Sequence, residues 1–183
     1  LVGSEMCIRD SYNGVAILSK RELINIKKID LCNKLDARII TAETTGFDIM
    51  SVYVPAGGDI PDPNINPKFR NKLLFLDELN QLLKRKKKII VCGDLNVAPH
   101  EDDVWSHKSL INVVSHTEIE REKLKKILED CNFIDAVRCF VNPPQNIYTW
   151  WSYRSPNYKI NNRGRRLDPV SYTHLRAHET SID

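Results

Sequence analysis

Between residues 69 and 83 the apolar side chains Phe69, Leu73, Leu76, Leu79 and Leu83 recur at spacings of three and four, with charges between them. That is the period of a helix with one buried face. The helix ends in the basic run Lys84-Arg85-Lys86-Lys87-Lys88. Cations at a helix C-terminus favour the macrodipole, so the run reads first as a solvated helix end and second as a patch for a polyanion. A second helix is predicted from Thr117 to about Cys131. Thr117 and Glu120 have capping-box spacing, and Leu124, Ile127, Leu128 and Cys131 form its apolar line. Short apolar runs at Asn13–Ser19, Ala37–Glu43, Phe47–Pro55 and Ile89–Cys92 predict strands. The Thr44-Thr45-Gly46 turn makes a hairpin of the second and third. Gly57-Gly58-Asp59 and Pro61, Pro63 and Pro67 then interrupt regular structure. Strands and helices mix without strict alternation, which predicts one layered α/β domain with a largely antiparallel sheet.

The two ends fall outside this pattern. Residues 1–11 (LVGSEMCIRDS) and 169–183 (PVSYTHLRAHETSID) have no period of 2 or 3.6 and are expected to join no strand or helix. Both resemble translated sequencing-adapter DNA, so they are read as non-native tails around a domain spanning 12–168. His174 and His178 thereby leave any catalytic argument. Each tail carries one basic and two acidic residues, so the whole chain's net +3 becomes +5 for the domain, with 25 basic and 20 acidic residues. A mildly basic domain is compatible with a polyanionic substrate. At 42% hydrophobic and 28% charged residues, 183 residues are enough for one soluble globular core. No apolar run reaches the roughly 18 residues that span a bilayer, and no secretory leader is read at the N-terminus. The five cysteines lack paired spacing, so free thiols in a reducing cytoplasm are expected, and no zinc site.

Ile89 to Pro99, IIVCGDLNVAP, is the most informative run for chemistry. An apolar strand delivers a glycine, then a carboxylate and an amide two residues apart. Residues i and i+2 of an extended turn point the same way, so Asp94 and Asn96 are expected to project together while Leu95 returns to the core. The carboxylate can take a proton from an attacking water, and the amide can donate to a phosphate oxygen. A plain turn would satisfy the same four residues. Further candidates stand beside it. Tyr53 ends a strand just before Pro55. Thr149 to Arg154 (TWWSYR) contains three aromatics, of which one tryptophan is expected in the core and the other as a wall against a sugar or base. Asn161 to Asp168 (NNRGRRLD) joins a basic turn to a carboxylate.

YNGVAILS, SVYVPAGGD, GDLNVAPHEDDVW, FIDAVR, YTWWSYR and NNRGRRLD occur in the order found in the exonuclease III family of abasic-site endonucleases, which the chain resembles over residues 12–168. The resemblance implies a four-layer α/β sandwich, two β-sheets flanked by helices, here incomplete at both ends. It implies a Mg²⁺-dependent DNA-repair phosphodiesterase, with Mn²⁺ able to replace Mg²⁺. Such an enzyme acts as a monomer in the bacterial cytoplasm, on double-stranded DNA at an abasic site or a 3′ end. By the same resemblance Asp94 activates the water, Asn96 and Tyr53 hold the scissile phosphate, and Asp168 orients the catalytic histidine. Asp94 and Asn96 also approach the metal, Trp150 lines the pocket for the flipped abasic sugar, and Asn162, Arg163 and Arg165 contact DNA. The family's asparagine and metal-binding glutamate are expected before Tyr12, and its Ser-Asp-His, with that histidine, after Asp168. Neither occurs in the 183 residues, so the chain reads as an inactive middle portion. Ala56 replaces an amide of some members, and Arg165 an apolar pocket residue. The alternatives are another branch of the superfamily acting on RNA or phosphoinositides, and a non-catalytic DNA-binding fragment.

Overall fold

The computed structural model describes residues 4–8, 13–154 and 157–173. In chain order the elements are β1 (Ser4–Ile8), β2 (Gly14–Leu18), β3 (Ile24–Lys28), β4 (Ile39–Glu43), β5 (Asp48–Tyr53) and α1 (Pro67–Leu83). There follow β6 (Ile89–Asp94), α2 (His107–Leu110), α3 (Glu118–Asp130), β7 (Phe133–Asp135), β8 (Trp150–Trp151), α4 (Tyr158–Asn161), β9 (Gly164–Arg165) and β10 (Ser171–Thr173). The main sheet has six strands in the order β3-β4-β5-β6-β10-β7. Only β5 and β6 run parallel, because α1 crosses between them; the other neighbours are antiparallel.

Both predicted long helices form. Asn66 caps α1 through its side chain, Pro67 begins it, and Phe69, Leu73, Leu76, Leu79 and Leu83 are buried. The Thr117–Glu120 capping box opens α3, and both of its reciprocal hydrogen bonds are present. The two helices cover one face of the sheet, where Phe75, Leu76 and Leu79 meet Leu124 and Ile127 over Met50, Val52, Ile89 and Val91. On the other face Val15 and Ile17 of β2 pack against Ile40 and Ala42. Ile39 and Ile40 therefore serve opposite layers, as strand alternation requires. Two small sheets, β1–β2 and β8–β9, complete a mixed α/β sandwich.

The expectation that the ends join no element needs correction. Ser4–Ile8 pairs antiparallel with β2, and Ser171–Thr173 lies between β6 and β7 in the main sheet. Thr173 even accepts the Ile89 backbone N–H through Oγ1 at 3.0 Å. Three residues are too few to display a period; β10 is specified by the hydrogen-bonding edges on either side of it. Residues 1–3, 9–11 and 174–183 of the two tails, including His174 and His178, lie outside the described residues. Strand β3 is fully exposed, so no buried alternation marked it in the sequence.

Candidate active site

The chemistry-bearing turn begins where β6 leaves the sheet. Gly93 has φ +128°, and a Cβ there would stand 2.1 Å from the Val52 carbonyl oxygen. Glycine is required because β5 approaches from the side a Cβ would fill. Asp94 then pairs in register with Tyr53, and Leu95 turns into the core. Asn96 sits in the left-handed region at φ +51°, which asparagine tolerates better than most residues. Its side chain donates to the Val54 carbonyl at 2.9 Å and to Asp94 Oδ2 at 3.1 Å, while its backbone N–H donates to Asp94 Oδ1 at 2.8 Å. Carboxylate and amide thus converge, but both amide hydrogens already have partners. The oxygen Oδ1 is the part of Asn96 left for a ligand.

These residues open onto a cavity of about 840 Å³ that Tyr53, Asp94, Asn96, Trp150, Arg163 and Arg165 line together. The Arg38 guanidinium lies 4.8 Å from the centre of the Tyr53 ring and donates to the Tyr53 carbonyl, which fixes one wall. Arg165, also in the lining, donates to the Val114 carbonyl at 3.1 Å and to Ser115 Oγ at 2.7 Å, and stands 5.8 Å from the Trp150 ring centre. Arg163 stacks on Trp105 at 4.7 Å. Trp150 is 38% exposed on the cavity wall. Its neighbour Trp151 packs against Tyr148 and Tyr158 and donates to Asn162 Oδ1. Two predicted residues do not line the cavity. Asn162 is exposed and ends α4, while Asp168 is half-buried just beyond Leu167 and its backbone N–H faces Thr149 Oγ1.

Burial pushes the Asp94 carboxyl up to about 6; hydrogen bonds from Asn96 and the charge of Lys72 pull it down, and the charge of Asp168 adds to the rise. Hard oxygen donors under such a field suit a divalent cation, which would relieve both the burial and the repulsion. Among the described residues no three His, Cys, Asp or Glu side chains form a ligand cluster. Asp94 and Asn96 Oδ1 are the oxygen donors that would hold such a cation here, where it would supply positive charge beside a phosphate.

Sequence reasoning assigned no role at the site to Trp105, Lys72 or Glu120. Trp105 followed the Gly-Asp-Leu-Asn run closely enough to be noticed. Lys72 carried a clearer signal: it is a charge on the apolar face of α1, between Phe69 and Leu76. Glu120 was absorbed into the capping box, though it also reaches Lys72 at 2.5 Å.

The model of the Endonuclease/Exonuclease/phosphatase family matches residues 6–168. The chain belongs to that family. The match starts at Met6, inside the segment read from the sequence as a tail. Among the relatives, the exodeoxyribonuclease of Bacillus subtilis is 31% identical over 169 residues, which is 88% of this chain and 63% of that protein. Recombination repair protein 1 of Drosophila melanogaster is 32% identical over 165 residues, 89% of this chain and 24% of that protein. The chain therefore spans about a quarter to two thirds of these relatives. A solved AP endonuclease from Archaeoglobus fulgidus superposes with a TM-score of 0.82 at 33% identity, covering 93% of this chain and 66% of that one. The family's sandwich is the fold described above. Among the described residues no helix is long and apolar enough to cross a membrane.

Proposed function

We propose that the chain is the central part of a Mg²⁺-dependent DNA phosphodiesterase of the exodeoxyribonuclease type, cutting at abasic sites and removing nucleotides from 3′ ends. The observation that carries this reading is the meeting of Tyr53, Asp94 and Asn96 with Trp150 and Arg165 in one cavity. The named activities of the Bacillus and Archaeoglobus relatives support the substrate. When bound, Mg²⁺ (or Mn²⁺) supplies charge neutralisation at the phosphate. Asp94 takes a proton from the attacking water as the water oxygen bonds to phosphorus and the P–O bond to the leaving sugar breaks, and the departing sugar oxygen takes up a proton from solvent. The Tyr53 hydroxyl donates to a non-bridging phosphate oxygen. Trp150 and the Arg165 guanidinium form the wall against which a sugar turned out of the duplex packs. Asn162 and Arg163 contact phosphates of the same strand. Asp168 orients a histidine supplied from beyond the described residues, since none of those residues places a histidine on Asp168 or Asp94. The reading sets the enzyme in the bacterial cytoplasm as a monomer, with residues 1–11 and 169–183 foreign in origin even though Ser4–Ile8 and Ser171–Thr173 take strand positions beside its own.

The 183 residues alone are accordingly expected to bind DNA and to cleave it poorly. The test compares the chain and Asp94→Ala, with Mg²⁺, on an abasic duplex, an RNA end and an inositol phosphate. Cleavage of the abasic duplex that disappears in Asp94→Ala would overturn the inactive-fragment reading and support the reaction. Selective binding or cleavage of RNA or the inositol phosphate would overturn the DNA reading.

A further inference from the structure

Lys72 is fully buried on the apolar face of α1, where leucine or methionine would pack without the cost of desolvating a charge. Its ammonium makes an ion pair with the equally buried Glu120 at 2.5 Å. It also donates to two backbone carbonyls, of Asn96 at 2.7 Å and of Ala56 at 3.3 Å. Glu120 in turn accepts the backbone N–H groups of Ser115 and Thr117 and the Thr117 hydroxyl. Ser115 is the residue on which Arg165 is anchored. One buried pair therefore ties together the loop after Tyr53, the turn carrying Asp94 and Asn96, and the turn that holds Arg165. These three segments come from distant parts of the chain and all line the cavity. Gly57 leaves room for this arrangement, since a Cβ there would meet Lys72 Cδ at 2.9 Å.

A buried ion pair contributes little net stability, because desolvation offsets most of the attraction. Its distinctive property is directional: an ammonium has three donors, and here they are fixed on one carboxylate and two loop carbonyls. We propose that Lys72 and Glu120 are positioning residues, whose buried pair sets the spacing of the Ala56 loop, the Asn96 turn and the Ser115 turn around the reacting phosphate. The role at the phosphate rests on the DNA reading above; the control of Asn96 does not.

The test uses Lys72→Met and the double variant Lys72→Met/Glu120→Gln, in which the charges are gone but an oxygen still caps the Ser115 and Thr117 amides. Three quantities are measured without metal: the thermal midpoint, hydrogen exchange of the Asn96 side-chain amide by NMR, and affinity for an abasic duplex by anisotropy. Lys72→Met, which leaves Glu120 uncompensated, is expected to lose most stability. The double variant should recover much of it, yet exchange the Asn96 amide about tenfold faster and bind the duplex about tenfold more weakly. A double variant with a restored midpoint and wild-type Asn96 exchange would overturn the proposal. Wild-type protein that does not bind the duplex counts against the DNA reading, while Asn96 exchange still decides the positioning. Should the double variant not fold, the wild-type Lys72 ammonium decides. A slowly exchanging signal with nuclear Overhauser contacts to Asn96 and Ala56 supports the proposal, and absence of that signal overturns it.

Discussion

Two half-buried aspartates of this chain respond to their surroundings in opposite ways. Burial pushes Asp94 up to about 6. A raised carboxyl contributes stability below its unfolded value, near 3.8, and that contribution is lost as the pH rises through about 6. Without metal, Asp94→Asn is therefore expected to stabilise the fold at pH 7 by on the order of 1–2 kcal/mol, after discounting for partial exposure. The gain should vanish below about pH 4. At Asp135 burial also acts to raise the pKa, but the two-pronged hydrogen bond from Arg166 and the Arg138 and Val137 N–H groups outweigh it and hold the carboxyl low. Its stabilisation is present above the ordinary carboxylate range and is lost as the pH falls through the lowered value. Asp135→Asn should cost about 2 kcal/mol at neutral pH, because the buried Arg166 loses its two-pronged carboxylate partner and keeps only the longer contact to Asp103 at 3.5 Å, with the difference shrinking in acid. Denaturant unfolding of both variants between pH 3 and 8 checks the pair of signs. A stabilised Asp135→Asn or a destabilised Asp94→Asn at pH 7 would contradict them.

Elements with a strong local signal were legible in the sequence. The periodic stripe of α1 and the capping box of α3 each carry their own instructions, and both helices form with nearly the expected bounds. The β4–β5 hairpin follows from two apolar runs and a glycine turn. Strands β3 and β10 were not legible, because one is wholly exposed and the other is three residues long. Gly93 belongs to this scale as well. The sequence marked it as a turn opener, but the requirement comes from parallel pairing with Val52 on β5. Gly93→Ala is expected to destabilise the protein by roughly 3 kcal/mol or more, by forcing β5 and β6 apart and straining φ. Circular dichroism melting gives the readout, and a loss below about 1 kcal/mol would show that the strands can separate without penalty.

At the scale of the whole molecule, the six-stranded sheet has β3 at one edge and β7 at the other among the described residues. On the β3 edge Ile24 and Ile26 are 49% and 37% exposed. An exposed strand with apolar side chains is a template for pairing with another copy. The 183 residues by themselves, unlike the monomeric whole enzyme proposed above, are therefore expected to associate at micromolar concentration, as light scattering after size-exclusion chromatography would reveal. Ile24→Lys with Ile26→Lys should restore a monomer, and unchanged association in that variant would place the contact elsewhere.

What the sequence determined by itself was local: helix periods, a capping box, strand runs, and the ordered motifs that pointed to the family. Those signals lie within a few residues of one another, so they survive reading in one dimension. Only the tertiary structure decided which candidates share a cavity, bringing Tyr53 and Asp94 into register across β5 and β6 while leaving Asn162 outside. It alone also decided that the ion pair of Lys72 and Glu120, 48 residues apart in the chain, lies beneath the Asn96 turn. A buried charge is tolerated only where partners from distant segments meet it, and no local pattern encodes such a meeting.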